Sequence, residues 1–224
     1  MNHIDWSQLF EQRKMIASRF GNIWKIPIAR RYYDVLRKLG RESVTVLEIG
    51  AGDRGLEKKM AGYWGQFDYR SCDIDTRYEH DFNEIDSVTG EFDLICAFEM
   101  IEHVTLEEAR HLLSKCFELN VPGGQIAITT PNIYYPPDFL RDATHRTPFC
   151  YDELGGLLQL CGYETTAIYR LYHDSIVKKF IKRVLMYPIF RVLGIDFAHQ
   201  IMVVGRKPST TDEAPAAVLL KQDQ

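Results

Sequence analysis

Apolar residues in this chain fall into short runs that alternate with amphipathic stretches. The runs predict strands at 44–49, 67–72, 92–98, 125–130, 163–171 and 199–206, with a very short one near 80–82. Helical spacing of apolar residues predicts helices at 105–118, 151–161 and 175–187. Because strands alternate with helices, we expect an α/β fold in which a mostly parallel, seven-stranded sheet carries helices on both faces.

The length of 224 residues suits one α/β domain with additions. Residues 1–40 are predicted to form an N-terminal helical cap, because Ile28, Tyr32 and Val35 follow a helical spacing and Gly40 ends the run. Residues 41–206 are predicted to form the main domain, with the helix at 175–187 inserted into it. The tail at 207–224 is rich in Pro, Ala, Thr, Asp and Gln and is predicted to be disordered.

The composition and charge of the chain limit its possible cellular location and binding partners. The net charge of −4 gives no global basic field, so a nucleic-acid partner is disfavoured. Five cysteines without a C-x-x-C pair fit neither a disulfide framework nor a zinc cluster. The polar N-terminus does not resemble a signal peptide, and no apolar run is long enough for a membrane span, so we expect a cytoplasmic protein.

A glycine-rich turn follows the strand at 44–49. The stretch Gly50-Ala51-Gly52-Asp53-Arg54-Gly55 matches G-x-G-x-x-G, a pattern that fits a dinucleotide as well as S-adenosylmethionine. Acidic residues stand near the ends of the neighbouring strands: Glu48, Asp73, Asp75, Asp81, Glu99 and Glu102. These ends meet at one crevice, where a like-charge contact at ~4 Å costs about 1–4 kcal/mol. The carboxylates would repel a pyrophosphate and attract a sulfonium cofactor.

Several motifs in order resemble those of class I S-adenosylmethionine-dependent methyltransferases, which have a Rossmann-like fold. They are Val46-Leu-Glu-Ile-Gly-Ala-Gly52, Ser71-Cys-Asp-Ile-Asp75, the segment from Phe92 to Val104, and Val121-Pro-Gly-Gly with Thr130-Pro-Asn132. The resemblance runs from about Tyr32 to Gly205. The chain departs from it in two places: Arg54 replaces the third glycine of the commonest motif, and the stretch between Asp75 and Asp81 is short.

The resemblance implies a set of cofactor contacts. The turn formed by Gly50, Ala51 and Gly52, together with Glu48, would wrap the methionine part of the cofactor. Asp73 would bind the ribose hydroxyls. The remaining contacts would be Asp81 and Phe82 with the adenine, and Phe98 and Glu99 beside the methionine end.

Methyl transfer to a hydroxyl needs an aligned acceptor and a group that removes its proton. The predicted catalytic residues are Glu102, His103 and the distant His145. With Glu99 they could instead hold Mg²⁺ or Mn²⁺, since the set resembles the metal site of small-RNA 3′-terminal 2′-O-methyltransferases, and ubiquinone-pathway O-methyltransferases share the Glu-x-x-Glu-His segment. Three interpretations stay open: a metal site, a base or substrate contact, and purely structural histidines.

The segment from Thr130 to Tyr163 resembles methyltransferases of bacterial polysaccharide and lipid-linked glycan synthesis. It favours O-methylation of a sugar, a glycan or another small polar acceptor. The alternatives are methylation of the terminal ribose of RNA, a dinucleotide-dependent oxidoreductase, and a cofactor-binding module without catalysis.

The helix at 175–187 is basic on one side. Ile176, Val177, Phe180, Ile181, Val184 and Leu185 are expected on one face, with Lys178, Lys179, Lys182 and Arg183 on the other. Three interpretations remain: a helix that covers the sheet or the active site, a peripheral contact with the inner face of an anionic membrane, and an RNA contact.

Overall fold

The computed structural model describes residues 6–40 and 44–209. Its strands are β1 (Ile28–Ala29), β2 (Thr45–Ile49), β3 (Asp68–Cys72), β4 (Phe92–Phe98), β5 (Asn120–Pro131), β6 (Glu164–Leu171) and β7 (Gln200–Arg206). Its α-helices are α1 (Trp6–Phe20), α2 (Tyr32–Leu39), α3 (Gly55–Trp64), α4 (Leu106–Leu119), α5 (Pro136–Leu140), α6 (Tyr151–Leu160), α7 (Ile176–Phe180) and α8 (Tyr187–Leu193). Short 3₁₀ turns lie at Ile23–Lys25, Ile85–Ser87 and Ile101–His103.

Within the described residues, the seven strands form one sheet in the order β1-β6-β7-β5-β4-β2-β3. Every pairing is parallel except those of β7, which runs antiparallel to β5 and to β6. The predicted mostly parallel, seven-stranded architecture is therefore confirmed. The predicted strand near 80–82 is not confirmed, because this segment forms only a single parallel bridge, between Cys72 and Phe82. The seventh strand is β1, at the opposite edge of the sheet.

Alternating side chains of the strands build a core on each face of the sheet. Leu47 and Ile49 belong to the face covered by α1, α4 and α6, whereas Val46 belongs to the face covered by α2 and α3. Because strand side chains alternate, Glu48 lies on the same face as Val46.

Strand register brings the carboxyl ends of β2, β3, β4 and β5 level with one another. Ile49 pairs with both Cys72 and Ala97, and Ala97 pairs with Ile128. The residues that follow each strand therefore leave the sheet at one edge, where ligands bind in this class of fold.

The prediction that residues 1–40 form a helical cap is wrong for part of the described segment, residues 6–40. After α1 and a 3₁₀ turn, Ile28 and Ala29 pair with Arg170 and Leu171 of β6. Pro27 disfavours helix at the residue before it, and sheet pairing at β6 then overrides the helical spacing. Helix α1 packs closely on α6: a Cβ at Gly156 would lie 3.0 Å from the backbone nitrogen of Arg13.

The predicted helix at 175–187 is not one continuous α-helix. Helix α7 leads into a π-helical turn at Ile181–Leu185, and α8 follows. Pro188 stands in the first turn of α8, where its missing N–H costs no hydrogen bond, whereas inside a continuous helix it would remove one. Among the described residues, no helix combines the length and the apolar character that crossing a bilayer requires.

The predicted disordered tail, 207–224, lies mostly outside the described residues. At Lys207 the prediction is wrong. Its backbone N–H donates to the carbonyl of Gly124, and its carbonyl accepts from the N–H of Gly123. The ammonium of Lys207 also donates to the carbonyls of Phe117 and Asn120, at 2.7 and 2.8 Å.

Candidate functional site

The glycine turn between β2 and α3 has an unusual backbone. Gly50 and Gly52 have φ values of +70° and +48°, which favour glycine. A Cβ at Gly50 would lie 3.0 Å from the Cβ of Met100, whereas a Cβ at Gly52 would meet open space. Gly52 thus leaves its backbone accessible from the crevice, while Gly50 lets the chain after β4 pass close by. Ala51 between them is buried.

Arg54, which stands where a third glycine is common, also has a positive φ of 57°. Its guanidinium lies 3.3 Å from Glu57 and 3.9 Å from Asp81, and it stacks over the ring of Tyr69. The side chain therefore takes part in a local ion-pair network that offsets the strain of a left-handed residue.

Glu48 is buried, and its carboxylate accepts a hydrogen bond from the hydroxyl of Tyr69. The pKa of Glu48 is raised to about 7, mainly by burial and in addition by the charges of Asp53 and Asp73, against the lowering effect of the Tyr69 hydrogen bond. An acid with this pKa gains from any cation placed beside it. The glycine turn is thus tuned for a positively charged ligand.

Asp73 closes the turn from the end of β3. One carboxylate oxygen accepts from the N–H of Gly52 at 2.7 Å, and the other accepts from the N–H of Asp75 at 2.8 Å. Each oxygen keeps a second lone pair, so Asp73 can still accept hydroxyl hydrogen bonds. Asp75 instead binds Arg77, and this hydrogen bond lowers the pKa of Asp75 to about 2.

Asp81 and Phe82 lie at the bridge beside β3. The carboxylate of Asp81 accepts from the N–H and the hydroxyl of Ser71, at 2.9 and 3.0 Å, and from Arg70 at 3.2 Å. These bonds fix the short loop to the sheet, and the adenine contact stays a prediction. The neighbouring His80 was missed by sequence reasoning. Both of its ring nitrogens are buried without a hydrogen-bond partner among the described residues.

The chain after β4 turns sharply at Glu99, which has a φ of +49°. Phe98 packs against the ring of Tyr32, with 4.5 Å between the ring centroids. Burial raises the pKa of Glu99, and its Oε1 is a buried atom without a hydrogen-bond partner among the described residues. A strained backbone and an unpartnered carboxylate oxygen are typical of a binding site.

Beyond the glycine turn lies a cavity of ≈ 340 Å³. It is lined by Glu99, Glu102, His103, Pro131, Asp138, Arg141, Asp142, His145 and Gln200. Four of these residues are carboxylic acids, and Arg141 is the one permanent cation among them. The structure thus brings together the four residues predicted as catalytic or metal-binding. It adds Asp138 and Gln200, which sequence reasoning missed.

Glu102 is the most buried acid of this cavity, at 1% exposure. It accepts from the hydroxyl of Thr130 at 3.1 Å, and its Oε1 lies 4.0 Å from Nε2 of His145. The pKa of Glu102 is raised to about 8, mainly by burial and in addition by the charge of Glu99. Without a bound cation, this group therefore holds a proton at neutral pH.

Hydrogen bonds fix the tautomers of both histidines. Nδ1 of His145 lies 2.8 Å from the carbonyl of Phe139, which can only accept, so Nδ1 carries a proton. The hydroxyl of Thr144 donates to Asp142 at 2.7 Å, so Nδ1 of His103 must be the donor in its 2.9 Å contact with Thr144. In the neutral rings, Nε2 of each histidine is left with a lone pair.

Glu102, His103 and His145 each offer a ligand atom, and these atoms lie within 4.8 Å of one another. A divalent ion with bonds of about 2.1 Å separates opposite ligand atoms by about 4.2 Å, so small side-chain shifts would suffice. The described residues thus fit a divalent ion, and they equally fit a proton-accepting pair.

Comparisons with known proteins agree with this geometry. The family model described as "Methyltransferase domain" matches residues 25–168, more than half of the chain. No curated protein sequence matches.

Among solved structures, an S-adenosylmethionine-dependent methyltransferase from Archaeoglobus fulgidus has a TM-score of 0.62 at 19% identity, covering 91% of this chain and 100% of that one. Another from Mesorhizobium loti has a TM-score of 0.57 at 11% identity, covering 79% and 97%. Phosphoethanolamine N-methyltransferase 2 of Haemonchus contortus has a TM-score of 0.55 at 13% identity, covering 88% of this chain and 57% of that one.

Proposed function

Because this chain belongs to the class I S-adenosylmethionine-dependent methyltransferase family, we propose that it methylates a hydroxyl oxygen of a sugar, a glycan or another small polar acceptor. The observation that carries the proposal is the cluster of Glu102, His103 and His145 at an acidic cavity beside the glycine turn. The cluster offers proton-accepting groups where an acceptor hydroxyl would lie.

The residues at the turn fit the cofactor. A Cβ at Gly52 would meet open space, Glu48 has a raised pKa that a cation would lower, and the ring nitrogens of His80 have no hydrogen-bond partner among the described residues. Glu48 and the turn would hold the methionine part, and Asp73 would accept hydrogen bonds from the ribose. When bound, S-adenosylmethionine supplies an activated methyl group, so the protein has to orient the acceptor and take its proton.

The side chains that line the cavity would determine which methyl acceptor binds there. Its side chains offer many hydrogen-bond acceptors and few donors, which suits a neutral polyhydroxyl group. Nε2 of His103 or His145 would receive the hydroxyl proton, because in both rings the other nitrogen is a donor. With the cationic cofactor bound, Glu102 beside His145 would ionise and stabilise the imidazolium that forms.

A divalent ion is the alternative role for the same cluster. Glu102, His103 and His145 would hold Mg²⁺ or Mn²⁺, and nearby lies Glu99, whose Oε1 has no hydrogen-bond partner in the described part of the chain. Such an ion lowers the pKa of a hydroxyl that binds it. The metal-capable cluster also favours a second candidate function, methylation of the terminal ribose of RNA. The acidic lining of the cavity opposes it, because the ionised carboxylate of Asp142, whose pKa is lowered by hydrogen bonds from Thr144, would repel phosphate.

The test uses the purified enzyme, deuteromethyl-labelled S-adenosylmethionine, and separate pools of cell glycans, small metabolites and RNA. We expect the label on oxygen in the glycan or metabolite pool, detected by mass spectrometry. His145→Ala should abolish labelling. The matched control His111→Ala should not, since His111 is exposed and pairs with Asp86 outside the cavity. Label only in RNA, or only on nitrogen, would contradict the proposal.

A separate measurement distinguishes the roles of the cluster. If the cluster binds metal, added Mn²⁺ should raise the melting temperature of the wild type at about pH 8 but not that of Glu102→Gln. A chelator should then also abolish labelling. If neither effect is seen, the histidines act as bases without metal.

A further inference from the structure

Helices α7 and α8 and the π-helical turn between them present an apolar surface to solvent, which we term the outer surface. Its exposed residues are Val177, Phe180, Ile181, Val184, Leu185, Ile189, Val192 and Leu193. Exposure reaches 87% at Val192 and 69% at Val177. Large contiguous apolar patches of this kind are rare on monomers and mark interaction sites.

The segment is attached to the protein by its other side. Tyr187 and Phe190 pack against the buried cluster of Tyr172 and Phe197. Nζ of Lys182 lies 2.7 Å from Asp174. Because aromatic and charged groups form this attachment, the aliphatic side chains remain outside. The expectation that this helix covers the sheet or the active site is therefore wrong for its aliphatic face.

Basic residues flank the outer surface. Residues 175–194 contain five basic residues and no acidic one, although the whole chain carries a net charge of −4. Lys178, Arg183 and Arg191 are exposed. Within the part of the chain that the structure describes, Lys178 and Arg183 form no ion pair with a carboxylate. Exposed aliphatic groups flanked by cations are complementary to an anionic lipid surface.

A second copy of the chain is a poorer occupant. A twofold interface would place the same patch of both copies together, so the basic residues of one copy would face those of the other. The segment has no acidic residue to compensate for that repulsion.

We propose that the outer surface docks on an anionic lipid bilayer and that the acceptor is a polar group carried on a membrane lipid. The second half rests on the proposed function. Side-chain contacts connect the π-helical turn to the cavity. Lys182 of this turn binds Asp174, which lies 3.4 Å from His199. His199 in turn lies 2.9 Å from Asp138 of the cavity wall. The cavity therefore lies three side-chain contacts away from the segment that carries the outer surface.

The docking test is flotation with vesicles of phosphatidylcholine containing about one third phosphatidylglycerol, at low and high salt. We expect the wild type to float with these vesicles at low salt and not with pure phosphatidylcholine. Since each basic residue near the surface contributes about fivefold, Lys178→Gln with Arg183→Gln should weaken binding about 25-fold. Phe180→Ser with Leu185→Ser should abolish it. The matched control, Lys38→Gln with Lys58→Gln on α2 and α3, should float as the wild type does.

The docking proposal is overturned if the wild type fails to float at low salt, or if the outer-surface variants float as well as the wild type. It is also overturned if light scattering shows a dimer that the double substitution Phe180→Ser with Leu185→Ser dissociates. The acceptor half is tested by extracting the labelled products into organic solvent. Label in the lipid extract supports it, and label confined to the aqueous phase overturns it. A protein that floats but labels no pool refutes the proposed function while leaving docking intact.

Discussion

Replacing Glu102 with Gln tests the electrostatics of the cavity. Glu102 is 1% exposed, and its pKa is raised to about 8, first by burial and then by the charge of Glu99. Gln keeps the size of the side chain and an oxygen that can accept from the hydroxyl of Thr130, but it cannot ionise. The variant therefore removes the cost of burying a charge while preserving most of the packing.

The sign of the effect follows from the two pKa values. In the unfolded chain Glu102 titrates near 4.5, and in the folded chain near 8, so the folded state binds more protons in between. Wild-type stability therefore falls relative to that of the variant as pH rises through this window. At about 1.36 kcal/mol for each pH unit, the full interval corresponds to about 5 kcal/mol.

Urea unfolding followed by tryptophan fluorescence measures this difference at about pH 5, 7 and 9. We expect the two proteins to differ little at about pH 5 and the variant to be several kcal/mol more stable at about pH 9. Glu107→Gln, at an exposed position of α4, is the control and should follow the wild type throughout. A gap between wild type and Glu102→Gln that stays constant across this range would show that the reasoning is wrong.

Three further predictions concern the cofactor and turnover. Affinity for S-adenosylmethionine should rise from about pH 6 to about pH 8, by up to about tenfold per pH unit below the pKa of Glu48, and Glu48→Gln should flatten this dependence in calorimetric titrations. Asp73→Ala should cost about 1–3 kcal/mol of cofactor binding in the same assay. His145→Ala should lower kcat by about 10²–10⁴-fold in steady-state kinetics while cofactor affinity changes less than about twofold, and His111→Ala should change neither.

The sheet could be predicted because its central strands are nearly continuous apolar runs. The rule that an apolar run forms a strand failed at the two edges of the sheet. Ile28 and Ala29 form a strand only because β6 offers unpaired backbone groups, as the hydrogen bond from the N–H of Arg170 to the carbonyl of Pro27 shows. The segment near Phe82 has too few residues before the next turn to form more than one bridge.

The positions of the glycine turn and the acids after the strands could also be predicted, since parallel strand ends meet at one edge. The contacts that distant parts of the chain contribute to the site could not be predicted. The Tyr69 hydroxyl reaches Glu48 only because β3 lies beside β2. Asp138 and Gln200 reach the cavity from α5 and from the start of β7. No local pattern marks such residues, because their roles depend on how distant elements pack.

Helical spacing predicts aliphatic and basic side chains on different faces of the helix at 175–187, but it could not indicate which side faces the protein. The ordinary expectation is that the apolar side is buried. Here the ion pair between Lys182 and Asp174 and the contacts of Tyr187 and Phe190 decide the orientation. A hydrophobic pattern alone therefore cannot distinguish a helix that covers a core from one whose aliphatic side chains are exposed.

The two buried acids also explain why this glycine turn favours a cation, although its pattern is shared with dinucleotide sites. Glu48 and Glu102 both have raised pKa values because burial and neighbouring acids oppose their charge. A pyrophosphate at the turn would add negative charge beside Glu48, Asp53 and Asp73, and would raise the pKa of Glu48 further. A sulfonium and an ammonium relieve the same repulsion. The cost of keeping these acids buried in the free protein is thus recovered when a cation binds, so the charge around the motif, more than the motif itself, determines the ligand.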